Sequence, residues 1–347
     1  MTDDAADRLL GGLDRVYGLN AAAERLAVVE VAARTGTLLR CAAPVSRADV
    51  EAALPWGGTV PARFVDALLA HGVLEAADAG LVACAEWSEF AVPDGERLLL
   101  DALGHGQART ALVRALGTGE DYWSTDPRTQ LQLARGVTFD PRSDVALAVR
   151  RSAAERIPTV ADALREGRRY LELGCGVGGA LLAQLRLHPH LEGVGVELSD
   201  VLAAEARASA VELGLDDRCR IVTGDATRFR DDDEFDVCFW SQFFFPRPSR
   251  AGALATASAC LREGGVLLAP APDVAEIRPP YDDEARDAAV DSLLWTTWGV
   301  PTTSSEQVAD EMRAAGFVDV EVVPGFVPVA VGRAPARNGQ VAAQTPP

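Results

Sequence analysis

The chain has 347 residues, of which 48% are hydrophobic and 24% are charged, and its formal net charge is −18. This composition is typical of a folded globular protein of about two domains and argues against a disordered or fibrous chain. The acidic excess, with arginine as the only basic residue type, argues against a nucleic acid as the partner.

The sequence shows no sign of a membrane or of an oxidising compartment. It has no apolar run near the roughly 20 residues of a membrane-spanning helix, and its acidic start lacks the basic region of a signal peptide. The six cysteines are scattered, without a C-x-x-C pair or a histidine at metal-ligand spacing. We therefore expect a cytoplasmic protein with free thiols, no membrane partner and no metal site.

The first 110 residues predict a small, mainly helical domain. Apolar residues recur at helical spacing from about Ala5 to Arg34, and two short helices follow, one capped by Ser46 and one ending at Gly72. Two short runs then alternate apolar and polar residues around Gly80, as in a hairpin. Helix, turn, helix and hairpin in this order are typical of a winged helix.

Residues 111–160 predict a mostly helical connector. After it, the spacing of the apolar residues changes. From residue 161 to residue 333, short apolar runs alternate with helical stretches, which predicts an α/β, Rossmann-like fold with a mostly parallel, seven-stranded sheet and helices on both faces. The candidate strands are Tyr170–Leu173, Val194–Glu197, Cys219–Val222, Phe235–Trp240, Gly265–Ala269, Val318–Val323 and Val327–Val331. Residues 334–347 predict a disordered tail.

The densest chemical signal is a glycine-rich turn between the first of these strands and a helix. Gly174, Gly176 and Gly179 satisfy the G-x-G-x-x-G spacing, which lets the backbone approach a ligand at a helix N-terminus. Taken alone, the spacing also fits NAD or a flavin nucleotide.

Three carboxylates distinguish between these ligands. Glu172, Glu197 and Asp225 follow or end three successive strands and should therefore line one crevice at the carboxyl edge of the sheet. Glu197, 23 residues after Gly174, has the spacing of a carboxylate that binds ribose hydroxyls. Glu172 beside the glycine turn would repel a pyrophosphate but favour a ligand that carries an ammonium and a sulfonium.

These residues resemble class I S-adenosylmethionine-dependent methyltransferases of the small-molecule type, and the resemblance covers about residues 151–333. It implies S-adenosylmethionine as cofactor, S-adenosylhomocysteine as product and no metal. In that family, residues 172–178 hold the methionine end, Glu197 the ribose, and Asp225 with Ala226 the adenine edge. The implied cofactor-binding residues are Glu172, Gly174, Gly176, Gly178, Glu197, Leu198, Asp225, Ala226, Trp240 and Gln242.

The N-terminal domain is similar to the winged-helix-like dimerisation domain of small-molecule O-methyltransferases and their bacterial C-methyltransferase relatives. The resemblance implies a homodimer formed through residues 1–110 and a connector that contributes to the substrate pocket. A winged helix could instead bind DNA, but residues 1–109 contain 16 acidic residues against 9 arginines. That charge argues against groove binding.

The catalytic residues are left unassigned by the sequence. Plant-type O-methyltransferases place a catalytic histidine just after the fourth strand, where this chain has Trp240-Ser-Gln-Phe-Phe-Phe-Pro, and the metal ligands of the related ketoacid C-methyltransferases are also absent. All four histidines fall elsewhere, and we expect them to be structural or solvated. The candidates for proton handling or for an aromatic wall around the sulfonium are Gln242, Phe243, Asp273, Glu276, Tyr281 and Trp298.

The leading hypothesis is O- or C-methylation of a small, partly apolar molecule in specialised metabolism, such as antibiotic biosynthesis. One alternative keeps the cofactor but closes its aminobutyryl chain into an azetidine or cyclopropane amino acid, with release of methylthioadenosine. A second alternative, from another class of protein, is a ligand-sensing winged-helix regulator.

Overall fold

The computed structural model describes residues 3–119, 121–138, 140–271, 279, 282–301, 303–325 and 327–336. The chain divides into two compact units, Met1–Gln107 and Ala108–Pro347, so the connector predicted at 111–160 lies in the second unit. Of the predicted tail, residues 337–347 lie outside the described residues. No helix in the described ranges is both long and apolar enough to cross a membrane.

The first unit is mainly helical and contains one two-stranded hairpin, which two helices follow. Ser46 caps the third helix, its hydroxyl accepting from the Asp49 amide at 3.2 Å. Val29, Leu38 and Val65 are fully buried in the core of the first unit. Its elements are α1 Asp3–Arg34, α2 Thr37–Arg40, α3 Arg47–Ala52, α4 Val60–Ala70, β1 Leu74–Ala77, β2 Gly80–Ala83, α5 Ala85–Ser88 and α6 Gly95–Ala115, which continues into the second unit.

The second unit contains the predicted α/β fold. Its helices are α7 Pro127–Gly136, α8 Asp144–Glu155, α9 Pro158–Glu166, α10 Gly179–Leu187, α11 Asp200–Glu212, α12 Arg247–Cys260, α13 Asp283–Thr297 and α14 Ser305–Ala314. Its strands are β3 Arg169–Leu173, β4 Glu192–Glu197, β5 Cys219–Thr223, β6 Phe235–Trp240, β7 Leu261–Pro270, β8 Val318–Val323 and β9 Val329–Arg333.

These strands form one seven-stranded sheet in the order β5-β4-β3-β6-β7-β9-β8. The first five are parallel, and β9 runs antiparallel to both of its neighbours. The mostly parallel Rossmann-like fold class is therefore confirmed. The order reverses at β3, which pairs with β4 on one side and with β6 on the other, and a ligand crevice forms at such a switch point.

The last predicted strand is shifted by two residues. It begins at Val329 instead of Val327, because Pro328 has no N–H to donate to a ladder and its carbonyl accepts from the Ala271 amide at 2.8 Å. Both faces of the sheet are buried. Leu173, Val196, Phe235 and Leu254 belong to one core, whereas Tyr170, Leu181, Leu185, Val237 and Val266 belong to the other. This burial explains the continuous apolar runs of the sequence.

Candidate active site

The glycine turn and the end of β4 are joined by backbone hydrogen bonds. The amides of Gly174 and Cys175 both donate to the Val196 carbonyl, at 2.9 and 3.1 Å. β3 and β4 run in parallel with Glu172 opposite Gly195, so Glu172 and Glu197 both lie toward the carboxyl ends of their strands. The two acids and the glycine turn thus occupy one edge of the sheet.

The turn requires glycine for two different reasons. Gly174, Gly176 and Gly178 all have positive φ angles, of 75, 55 and 79°, which side chains other than glycine rarely adopt. At Gly174 a Cβ would also lie 2.8 Å from a ring carbon of Phe245, so the side chain is excluded by packing. At Gly176 a Cβ would meet no atom within 4 Å, so the turn faces open space where a ligand could approach the backbone.

Glu172 is a buried carboxyl group with an unused oxygen. It is 2% exposed, and its Oε2 atom has no hydrogen-bond partner. Burial raises the pKa of Glu172 to about 8, and the nearby Glu197 charge adds to this rise, whereas the Arg150 charge opposes it. An empty site therefore holds this group largely protonated at neutral pH, and a cation placed beside Oε2 would favour the ionised form.

Glu197 is held by the backbone on both of its oxygens. The Gly176 amide donates to Oε2 and the Ser199 amide donates to Oε1, each at 2.8 Å. Burial raises the pKa of Glu197, and these amide hydrogen bonds act against that rise. Each carboxylate oxygen can accept a further hydrogen bond, so the fixed carboxylate could also receive two hydroxyl groups of a ligand.

The predicted adenine side lies at the ends of β4 and β5. Leu198 is 58% exposed, which leaves an apolar surface next to Glu197. Asp225 caps a short 3-10 helix, its Oδ1 atom accepting from the Thr227 amide at 2.8 Å, while Ala226 is buried. Asp225 Oδ2 lies 3.7 Å from the exposed Arg228 guanidinium.

Trp240 is the last residue of β6 and Gln242 follows it, so both lie at this edge, but both side chains are buried in the core. Trp240 is completely buried, and the Arg250 guanidinium carbon lies 4.8 Å from the centre of its ring. The Gln242 side chain accepts from Arg250 at 2.9 Å and donates to the Pro270 carbonyl at 3.1 Å. Arg250 also binds Glu311 of α14, at 2.6 Å. Contact of either predicted residue with a ligand stays a prediction.

Arg250 was missed by the sequence analysis, although it fixes the position of the segment 241–245. Its side chain is only 3% exposed, and its Nη1 atom also donates to the Gln242 carbonyl at 2.9 Å. The same segment carries Phe245, which packs against Gly174 and Trp240. No sequence signal distinguishes Arg250 from exposed arginines, because its burial depends on how α12 and α14 pack.

Five rings form a contiguous group that we call the aromatic cluster: Tyr122, Phe243, Phe244, Trp295 and Trp298. Tyr122 and Phe244 both contact Trp298, with ring centres 4.6 and 5.6 Å apart, and Phe243 contacts Trp295 at 6.0 Å. Burial and the charge of Glu197 raise the pKa of Tyr122 to about 12. Phe243 and Phe244 follow the last residue of β6, so the aromatic cluster begins at the same edge of the sheet as the glycine turn.

The histidines were expected to be structural or solvated. His188 and His190 precede β4 and lie at the opposite edge of the sheet, and His71 follows α4 in the first unit. Asp273, Glu276 and Tyr281 lie outside the described residues. In the described parts of the chain, no three His, Cys, Asp or Glu side chains form a group that could hold a metal.

Comparison with known proteins identifies the kind of domain that carries this edge. Residues 171–265 match the family described as "Methyltransferase domain". The uncharacterized protein YjhP of Escherichia coli strain K12 is 30% identical over 105 residues, which cover 30% of this chain and 42% of YjhP. The chain thus spans less than half of the length of this curated relative.

Solved structures match nearly the whole chain. Human N-acetylserotonin methyltransferase in complex with SAM has a TM-score of 0.63 at 12% identity, covering 96% of this chain and 99% of that chain. The mitomycin 7-O-methyltransferase MmcR has a TM-score of 0.60 at 18% identity, covering 95% and 99%. The chain has the fold of these methyltransferases, which is the fold that the resemblance implies.

Alanine substitutions in the glycine turn should separate packing from conformation. We expect Gly174→Ala to destabilise the protein by about 2–4 kcal/mol, because it adds a clash with Phe245 to the strain of a positive φ. Gly176→Ala, which adds the strain alone, should cost about 1–2 kcal/mol. Urea unfolding of the two variants measures the difference, and equal losses would show that the Phe245 contact does not constrain the turn.

Proposed function

We propose that this chain, whose residues 171–265 form a methyltransferase domain, transfers a methyl group from S-adenosylmethionine to a small-molecule acceptor. One observation carries the proposal: the buried Glu172 carboxyl has an unused oxygen beside the open glycine turn. A carboxylate in this place favours an ammonium and a sulfonium, and it would repel the pyrophosphate of NAD or of a flavin nucleotide.

The other acid and its neighbours fit the nucleoside half of the cofactor. Glu197 accepts hydrogen bonds from the ribose hydroxyls, and the exposed Leu198 side chain packs against the adenine. Asp225 and Ala226 lie along the adenine edge. The methionine end lies over residues 174–178, where Gly176 faces open space.

The acceptor binds beside the aromatic cluster. Tyr122 and Phe244 both contact the Trp298 ring, and Phe244 follows β6 at this edge, so the surface offered to the acceptor is apolar and rich in flat rings. Such a surface favours a planar, partly apolar molecule. Aromatic faces also stabilise the sulfonium by about 0.5–2 kcal/mol for each well-placed ring.

The reaction is a displacement at the methyl carbon. The acceptor atom would form a bond to that carbon as the carbon–sulfur bond breaks and its electrons stay on sulfur, which gives S-adenosylhomocysteine. A hydroxyl or enolisable-carbon acceptor would release its proton to water. The Tyr122 phenol, with its pKa of about 12, stays protonated at neutral pH and therefore serves as a hydrogen-bond donor, not as a base. Most of the acceleration comes from alignment of the two reactants.

The first unit supports assembly into a homodimer. Helix α1 carries Val16, Leu19 and Leu26 at spacings of three and seven residues, and they are 51, 74 and 53% exposed. An apolar stripe of this kind is typical of a helix that packs against a partner. We propose that a second copy of the chain covers it, and that the enzyme acts in specialised metabolism, as the name of the mitomycin methyltransferase suggests.

Calorimetry with S-adenosylhomocysteine and NAD tests the cofactor assignment. The wild-type protein should bind S-adenosylhomocysteine and not NAD, and Glu197→Ala should weaken that binding by about 10- to 100-fold because hydrogen bonds to a charged group are lost. Glu192→Ala is the matched control, since Glu192 is exposed at the other end of β4. Equal binding by the two variants would contradict the ribose assignment.

The products of turnover distinguish methyl transfer from ring closure of the cofactor. Incubation with S-adenosylmethionine and a panel of planar phenols and enolisable ketones should yield S-adenosylhomocysteine only when an acceptor is present. Methylthioadenosine formed without any acceptor would instead establish cofactor cyclisation.

Cofactor affinity should rise with pH between pH 6.0 and 7.5. Below about pH 8 the Glu172 carboxyl of the empty site is protonated, whereas the bound ammonium favours the carboxylate, so binding releases a proton. The affinity for S-adenosylhomocysteine should therefore increase by up to about tenfold per pH unit over this range, in which the ligand's amine stays charged. Calorimetry in buffers of different ionisation enthalpy measures the proton released.

Two controls accompany this measurement. Glu172→Gln removes the titrating group and should flatten the pH dependence. Methylthioadenosine lacks the aliphatic amine of the amino-acid end, so it should bind with little dependence on pH. An unchanged slope in Glu172→Gln would assign the proton to a different group.

The oligomeric state tests the role of α1. We expect sedimentation to give a dimer for the wild-type protein and a shift toward monomer for Leu19→Glu, because the charge is placed on the apolar stripe. Asn20→Glu adds the same charge to the adjacent exposed position and should leave the dimer intact. A wild-type monomer at micromolar concentration would overturn the dimer proposal.

A further inference from the structure

A chain of hydrogen bonds leads from the Glu197 carboxylate to the backbone of Tyr122. The Ser199 amide donates to Glu197 Oε1 at 2.8 Å, and the Ser199 hydroxyl donates to the Oε1 atom of Gln130 at 3.3 Å. The Gln130 side-chain amide donates to the Thr125 carbonyl at 3.2 Å, and the Thr125 hydroxyl donates to the Tyr122 carbonyl at 2.6 Å. One acid of the site is thus linked by four hydrogen bonds to the backbone that carries a ring of the aromatic cluster.

Gln130 is the member of this chain that joins two separate parts of the fold. It lies on α7 and is half-buried, and both ends of its amide group are used: the oxygen accepts from the residue that caps α11, and the nitrogen donates to the segment before α7. A glutamine side chain suits this place because it accepts and donates at neighbouring atoms. A change in position on one side of Gln130 is therefore felt on the other.

The segment before α7 holds Tyr122 in a tight turn. The Thr125 amide donates to the Tyr122 carbonyl at 3.2 Å, and the Ser124 amide donates to Asp121 Oδ1 at 3.0 Å. The Tyr122 side chain is 9% exposed, and its ring centre lies 4.6 Å from that of Trp298. Since the ring projects from this turn, the position of the Thr125 carbonyl affects the surface proposed for the acceptor.

The other end of the chain lies where the proposed cofactor binds. Glu197 is the proposed ribose ligand and Leu198 the proposed adenine contact, so the cofactor touches both residues that precede Ser199. The two hydrogen bonds of Gln130, at 3.3 and 3.2 Å, are long for their types, which leaves room for the link to tighten. A ligand that restrains Ser199 lowers the entropic cost of ordering Gln130 and the turn behind it.

We propose that Gln130 is a positioning residue that transmits cofactor binding to Tyr122 and so to the acceptor surface. The inference rests on the proposed function, because it needs Glu197 to bind the ribose of the cofactor. A cofactor held by Glu197 tightens the link through Gln130, and the turn that carries Tyr122 then opens less often. The acceptor surface is thus ordered when the cofactor is present, which favours binding of the cofactor before the acceptor.

Hydrogen exchange with and without S-adenosylhomocysteine tests the inference. The amides of Ser124 and Thr125 are hydrogen-bonded within the turn and exchange when it opens, so a peptide spanning residues 121–126 reports on it by mass spectrometry. In the wild-type protein, saturating S-adenosylhomocysteine should slow this exchange by about two- to tenfold, the fold-change that corresponds to one net hydrogen bond.

Removal of the polar atoms of Gln130 should abolish this effect without abolishing ligand binding. In Gln130→Leu we expect residues 121–126 to exchange at the same rate with and without S-adenosylhomocysteine. The affinity for this ligand, measured by calorimetry, should fall by no more than the same factor of about two to ten, because the coupling is reciprocal. Glu197 keeps both of its amide donors in this variant.

Two further variants locate the effect. Gln130→Glu keeps an oxygen that accepts from Ser199 but replaces the donor to the Thr125 carbonyl by a second oxygen, so it should lose the protection too, and it decides the question if Gln130→Leu does not fold. Arg135→Met breaks another contact of α7 with α11, the partly exposed ion pair with Glu205, and should keep the protection. A purely structural loosening of α7 would speed the exchange equally with and without ligand.

The outcomes separate this inference from the proposed function. Protection that persists in both Gln130 variants would mean that the ligand reaches the turn by another route, and it would overturn the inference. Loss of protection in Arg135→Met as well would assign the effect to the packing of α7 as a whole and would also overturn it. A wild-type protein that binds S-adenosylhomocysteine without slower exchange in residues 121–126 would overturn the inference alone, whereas one that does not bind it would overturn the proposed function as well.

Discussion

The structure of the site depends on a carboxyl group that is buried beside a turn with no side chains. An unpaired carboxylate in a dry interior is strongly disfavoured, so Glu172 stays protonated until a cation reaches it. The surrounding sheet makes this possible because β3 lies at its centre, with β4 and β6 on its two sides. A residue near the end of that strand is shielded on both sides by the neighbouring strands, and the glycine turn follows it in the chain. The charge preference of the site therefore follows from the position of one residue in the sheet.

The turn and the segment after β6 constrain each other. Phe245 occupies the space that a side chain at residue 174 would need. Arg250 fixes the segment 241–245, which carries Phe245, by donating hydrogen bonds to the backbone and the side chain of Gln242. Arg250 is in turn bound to Glu311, so the packing of α12 against α14 determines where the segment lies. A buried ion pair of this kind contributes little net stability, but it specifies one arrangement of the groups it joins. The aromatic side of the site and the cofactor side thus share one support.

The sequence could predict what lies along a strand and could not predict what depends on packing between distant elements. The alternation of apolar runs and helices gave the α/β fold, and strand ends located Glu172, Glu197 and Asp225 at one edge. Trp240 and Gln242 also lie at the end of a strand at that edge, but their burial beside Arg250 of the following helix could not be predicted from the sequence. Arg150 lies 22 positions before Glu172 on a helix with many exposed residues. Its effect on the pKa of Glu172 arises only when α8 packs against α9 and α10.

The different burial of the side chains after β6 and in the aromatic cluster has a consequence for engineering. Phe245 and Gln242 are tied to the glycine turn and to Arg250, so substitutions there would disturb cofactor and scaffold together. Phe243 and Trp295 are only partly buried, and they contact each other on the outer side of the cluster. Libraries that vary this outer pair would change the shape offered to an incoming molecule at little expense to the fold. Such libraries would leave the glycine turn and its support unchanged while they vary the acceptor surface proposed above.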